Sequence, residues 1–168
     1  MVDRSEAHLF EIHAEVGSKA KSAPLLLDVL DKDAFNEVLQ EYQPEVMFHA
    51  AAFKHVALLE DQPARAVRNN VWATHLLADL AVENGVEYFV LISTDKAVDP
   101  SSVMGASKRL AERLIEGHAI TANGIHFISV RFGNVLGSSG SVVPIFQKQI
   151  EEGGPVTVRG KTISRFFM

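Results

Sequence analysis

The run Tyr88–Ser93 (YFVLIS) constrains this chain more than any other segment. It is aromatic, branched and apolar almost to its last residue. It lacks the polar alternation of a strand with one wet face, so it reads as a strand buried on both. Val46–Ala50 (VMFHA) and His126–Phe132 (HFISVRF) read the same way, and Leu25–Asp28 (LLLD) is a shorter version. Helix-length stretches separate them. Asp31 can cap a helix through Tyr42 with Phe35, Val38 and Leu39 on one face. Pro63 suits the start of a helix to Asn84, with Val67, Val71, Leu77 and Ala81 near helical spacing and a stop at Gly85. A third helix is expected from Val103 to Ala122, with Leu110, Ala111 and Leu114 facing inward and Gly124 just beyond. A short one is expected around Pro144–Glu152. Apolar strands alternating with amphipathic helices predict an α/β fold: a parallel sheet covered on both faces.

The length of 168 residues fits one domain. The net charge of -5, with no basic block, argues against nucleic acid and anionic membrane as partners. Without cysteine there is no disulfide framework, no thiol nucleophile and no Cys-type zinc site. His49 and His55 show no metal spacing, so no metal is expected. The opening residues lack a signal-peptide core, and no apolar run approaches the roughly 18 residues of a membrane span. A cytoplasmic setting is the expectation. Both ends read as cut: MVD as the tail of a strand, SRFFM as a strand with nothing after it, and no G-x-G-x-x-G anywhere.

Three motifs can carry chemistry. Ser93-Thr94-Asp95-Lys96 closes the strongest strand, at the end where open α/β sheets bind ligands. An acid and an amine there can act as general acid and base; the plain alternative is a solvated turn. Met104 and Lys108 stand one helical turn apart, which by itself suggests a core Met and a surface Lys. The Gly/Ser-rich stretch from Gly133 to Ser141 follows a strand end, where backbone N–H groups can approach an anion closely. Its plain alternative is a flexible surface loop.

In order along the chain, HAAAFKHV, RNNVWATHLLADLA, FVLISTDKAVDPSSVMGASKRLAE, VRFGNVLGSSGSVVPIFQKQIEEGGPVTV and SRFFM resemble CapD-like polysaccharide biosynthesis proteins. These are extended short-chain dehydrogenases acting on UDP-linked N-acetylhexosamines. The resemblance implies a doubly wound, Rossmann-like parallel sheet, truncated here at both ends. Residues 1–168 would form a partial NAD(P)-binding domain lacking its first strand and glycine turn, with substrate-domain elements beginning near 133–168. The implied activity is 4,6-dehydration of a UDP-N-acetylglucosamine-like sugar for capsule or O-antigen polysaccharide, with NAD or NADP recycled in each cycle.

The resemblance also distributes roles. Thr94, Asp95 and Lys96 match a catalytic stretch, in which one of Asp95 and Lys96 takes the C5 proton and the other protonates the C6 hydroxyl; Lys96 as base and Asp95 as acid is the favoured assignment, with reversed or shared roles open. Met104 stands where related dehydrogenases carry a proton-donating Tyr, and a thioether cannot donate. Lys108, Thr94 or a water is left to take the C4 hydroxyl proton. Asp3, Arg4, Asp28, Val29, Ala50, Ala51, Ala52, Lys54, Ser93, Lys108 and Phe132 are implied on the cofactor; His55, Asn134, Ser141, Val142 and Arg165 on the substrate. Asn70 is expected to brace neighbouring backbone. A UDP-linked amino sugar is the expected partner, and a homo-oligomer the expected state of the complete protein. The 168-residue piece is expected to be inactive alone, and an N-terminal membrane region is open for its parent. Competing readings are a nucleotide-sugar 4-epimerase on the same fold and a non-catalytic NAD(P)-binding sensor.

Overall fold

The computed structural model describes residues 1–17, 19–136 and 142–158. It divides into two compact units, Met1–Arg131 and Phe132–Met168. In the first unit, β1 (Val2–Asp3) leads through α1 (Glu6–Gly17) to β2 (Leu25–Leu26), with which it pairs in parallel. Then come α2 (Lys32–Tyr42), β3 (Val46–His49), α3 (Val56–Glu60) and α4 (Pro63–Ala66). A π-helical segment, Val67–Trp72, joins α4 to α5 (Ala73–Glu83). After it follow β4 (Tyr88–Ile92), a 3₁₀ turn (Asp95–Ala97), α6 (Val103–Thr121) and β5 (His126–Val130). The strands β3, β4 and β5 form a second parallel sheet in that order. In the second unit, α7 spans Val142–Glu151.

Local chemistry explains the boundaries. Asp31 caps α2 by accepting from the Ala34 N–H, and Gln43 ends it with φ 42° and an N–H donated to the Leu39 carbonyl. Ser102 caps α6 by accepting from the Gly105 N–H at 3.1 Å. One face of the larger sheet carries Met47, Phe89 and Leu91, packed with Phe35 and Leu39 of α2, Leu77 and Leu80 of α5, and Ala111 and Ile115 of α6.

On the other face of the larger sheet Phe48 is 70% and Ile128 42% exposed, because α2, α5 and α6 all pack against the Met47/Phe89/Leu91 side. Two expectations are corrected. Leu110 points outward at 51% exposure, since the inner face of α6 carries Met104, Ser107, Lys108, Ala111, Glu112 and Ile115. Val67 is also exposed: the π segment shifts the helical phase, so Ala66, Asn69, Asn70 and Ala73 turn inward. No described helix is long and apolar enough to cross a membrane.

Gly105 lets α6 meet the 3₁₀ turn. A Cβ there would clash with the Lys96 carbonyl oxygen, which is backbone and cannot swing aside. A Cβ at Gly117, later in the same helix, meets nothing within 4 Å among the described residues. Gly105→Ala should therefore destabilise by about 1–3 kcal/mol, whereas Gly117→Ala should stabilise by about 0.5–1 kcal/mol. Urea unfolding of the two variants checks this. Equal shifts in one direction would contradict the close approach.

Candidate active site

Because all the strands run parallel, the segment after each one emerges at its C-terminal end. Asp3 and Arg4 follow β1, Asp28 and Val29 follow β2, and Ala50, Ala51 and Ala52 follow β3. These seven residues line one cleft of about 400 Å³, together with Phe53 and Asn69. Arg4 bridges to Asp28 at 3.6 Å and lies over the Phe53 ring, 4.8 Å from its centroid. Asp3 accepts from the Ser5 N–H at 2.7 Å and Asp28 from the Leu30 N–H at 3.0 Å, which fixes both carboxylates. Three successive alanines keep the wall at β3 free of bulk.

Asn70 connects this wall to α6. Its side chain, 1% exposed, accepts from the Phe53 N–H at 2.8 Å and donates to the Phe53 carbonyl at 3.0 Å. It also donates to the Ser107 hydroxyl at 3.0 Å. The buried His49 donates through Nε2 to the Thr74 hydroxyl at 3.0 Å, since that hydroxyl itself donates to the Asn70 carbonyl. Burial, with Lys108 adding to it, pulls the His49 imidazole down to about 3, so it stays neutral.

At the end of β4 the chain turns sharply. Thr94 caps the 3₁₀ turn and donates to the Asp95 carboxylate at 2.9 Å. Lys96 Nζ stands 2.9 Å from the same carboxylate oxygen. The Lys96 hydrogen bond, and less strongly Thr94, holds the Asp95 carboxyl below its ordinary value although its partial burial pushes the other way. The resting arrangement is an ion pair.

Lys108 is not a surface lysine. It is 7% exposed, and its ammonium donates to the Ile92 carbonyl at 2.5 Å, at the end of β4. Burial lowers it to about 8, against the opposing pull of Glu112. Met104, one turn earlier, packs in an apolar cluster with Leu59 and Ala66.

Sequence reasoning passed over Glu112. It is 1% exposed, and it accepts from the Ser93 hydroxyl at 2.6 Å, from Arg131 Nε and Nη2 at 2.8 and 2.7 Å, and from Arg109 at 2.9 Å. Burial alone would raise its carboxyl, but Arg131, Ser93 and Arg109 take it down to about 2. The spacing of Lys108 and Glu112, one turn apart on the inner face of α6, was the available signal.

The remaining expected residues lie elsewhere. His55 precedes α3 without a side-chain cap bond, and Lys54 is exposed beside it. Neither lines the cleft. Phe132, Asn134 and Val142 belong to the second unit, with Val142 opening α7. Ser141 and Arg165 lie outside the described residues.

Because Glu112 is held at about 2 in the fold against 4.5 for an ordinary glutamate, its contribution is complete above 4.5 and disappears as pH falls toward 2. Glu112→Gln should lower the urea midpoint at neutral pH and flatten its decline across that acid window. A variant with the parent's acid limb would show that Glu112 is not the linked group.

A family model described as polysaccharide biosynthesis protein matches residues 1–168. The capsular polysaccharide biosynthesis protein CapD of Staphylococcus aureus is 46% identical over 100% of this chain and 29% of its own length. The X-ray structure of Pen from Bacillus thuringiensis, 35% identical, superposes with a TM-score of 0.91 over 99% of this chain and 52% of its own. A UDP-N-acetylglucosamine 4,6-dehydratase (inverting) of Campylobacter jejuni is 37% identical over 77% of this chain and 40% of its own length. A UDP-glucose 4-epimerase of Rickettsia canadensis is 40% identical over 74% and 37%. The chain thus spans about half, or less, of each of these four proteins.

Proposed function

The chain belongs to the polysaccharide biosynthesis protein family, and from that premise we propose that the complete protein removes water from a UDP-linked N-acetylhexosamine as an NAD(P)-dependent 4,6-dehydratase. The observation that carries this reading is the Asp95–Lys96 pair at the end of β4. Epimerisation at C4 needs oxidation and reduction at one carbon. Elimination across C5 and C6 needs in addition a base for the C5 proton and an acid for the departing hydroxyl.

The cleft beside Asp3, Asp28 and the alanines suits the adenosine end of a dinucleotide. The two carboxylates can accept from ribose hydroxyls, and Arg4 can meet a 2′-phosphate. When bound, that cofactor supplies the acceptor for a hydride from C4 and its return to C6. The chain's own groups handle the protons. Lys108, set near 8 by burial, takes the C4 hydroxyl proton, a role Met104 cannot fill.

The pair at β4 must change state first. As an ion pair, Asp95 is ionised and Lys96 charged. Transfer of one proton along their 2.9 Å bond creates a neutral amine and a carboxylic acid together. Closing a sugar over the pair removes water and disfavours two charges relative to two neutral groups. Lys96 then takes the C5 proton, Asp95 protonates the C6 hydroxyl, and water leaves; as C6 is reduced, the Lys96 ammonium returns a proton to C5.

A second reading, C4 epimerisation, is favoured by the 40% identity to a protein named UDP-glucose 4-epimerase. Incubating the complete protein with UDP-N-acetylglucosamine and weighing the product separates the two. Loss of one water supports dehydration, and an isomer of unchanged mass supports epimerisation. Lys96→Ala should lose water elimination at least about 100-fold, the lower end of a general base's worth, while C4 oxidation persists. Lys108→Met should lose both steps. In the parent, C4 oxidation should rise with pH through about 8. Undiminished dehydration by Lys96→Ala would remove it from the mechanism.

A further inference from the structure

Away from the cleft, α5 and α6 bring three metal-ligating side chains together. We propose that His75, Asp79 and His118 form a binding site for a borderline divalent transition ion, with zinc as its representative. His75 and Asp79 stand one turn apart on α5, with His75 Nε2 3.5 Å from one carboxylate oxygen. His118 of α6 places Nε2 2.8 Å from the other. One ligand atom from each residue falls within 4.8 Å of the others. Ligands around a tetrahedral zinc, bonded at about 2.0–2.2 Å, stand about 3.4 Å apart, so small side-chain rotations close the set. Two imidazoles and one carboxylate select zinc, nickel or copper over the oxygen-seeking calcium and magnesium.

His118 is already oriented as a ligand. Its Nδ1 stands 2.9 Å from the Leu114 carbonyl, which only accepts, so Nδ1 carries a proton. Its Nε2 is turned toward the Asp79 carboxylate, 2.8 Å away, on the side where an ion would sit. A backbone carbonyl fixing the non-ligating nitrogen is the usual support of a metal histidine. His75 lacks this support: its Nδ1 is buried with no hydrogen-bond partner among the described residues. Missing supports of this kind cost about 10–100-fold in affinity, so weaker binding is expected than at a site with both histidines supported. Partial exposure of the three side chains, 36%, 44% and 15%, leaves a path for the ion.

The cluster escaped sequence reading because Asp79 and His118 are 39 residues apart on different helices. A bound ion would clip α5 to α6, the helix that carries Lys108. Isothermal titration of the full chain with zinc chloride tests the site. One saturable ion per chain should bind, with a raised melting temperature. His75→Gln, His118→Gln and Asp79→Asn should each weaken binding at least tenfold. As an independent readout, copper(II) should quench Trp72, whose ring lies 5.3 Å from that of His75, and should quench it less in His118→Gln. No saturable binding, or binding unchanged in both histidine variants, would overturn the proposal and leave an ordinary His–Asp contact.

Discussion

Glu112 sits where three separate pieces of chain must stay aligned. Its carboxylate accepts from Ser93 at the end of β4, from Arg131 at the end of β5, and from Arg109 on its own helix. Removing a carboxylate from water is costly, and only near-complete hydrogen bonding offsets it. That requirement makes the arrangement specific: a slip of α6 by one residue would leave a buried charge without donors. Glu112 therefore sets the register of α6 against the sheet, and Lys108, one turn earlier, inherits its position.

Lys108 illustrates what that register achieves. An ammonium at this depth loses solvation, and a single backbone carbonyl, that of Ile92, replaces part of it. The negative charge of Glu112 keeps the amine from falling further. The same helix meets the Lys96 carbonyl through Gly105 and meets Asn70 through Ser107. Asn70 in turn holds both backbone groups of Phe53 in the cleft wall. The cleft after β1, β2 and β3 and the ion pair after β4 are thereby mechanically linked through α6.

Much of this was legible from the chain alone. Apolar strands alternating with amphipathic helices implied parallel strands, and parallel strands put the candidate residues immediately after strand ends. Asp31 as a cap followed from its own chemistry. Other features were illegible for physical reasons. The phase shift at Val67–Trp72 comes from backbone hydrogen bonding that hydrophobic spacing does not encode. Lys108 and Glu112 occupy the inner face of α6 because their charges are answered from other elements, whereas Leu110 is left outside. Periodicity assigns apolar residues to the core. It cannot recognise a buried charge whose partners lie on distant segments.

The ion pair at β4 shows how such charges divide between holding structure and doing chemistry. Glu112 is enclosed and saturated with donors, so its proton affinity is far from anything a reaction near neutrality can use. Asp95 is open on one side, with a 53% exposed side chain, and its charge is answered mainly by the Lys96 amine. In the proposed reaction, a sugar displacing water there would change the balance between charged and neutral forms, because solvent still contributes to it. Around the end of β4 the fold thus keeps one carboxylate, Glu112, insensitive to its surroundings and another, Asp95, sensitive to them. That contrast, more than the presence of acid and amine as such, is what favours the end of β4 in the proposed proton transfer.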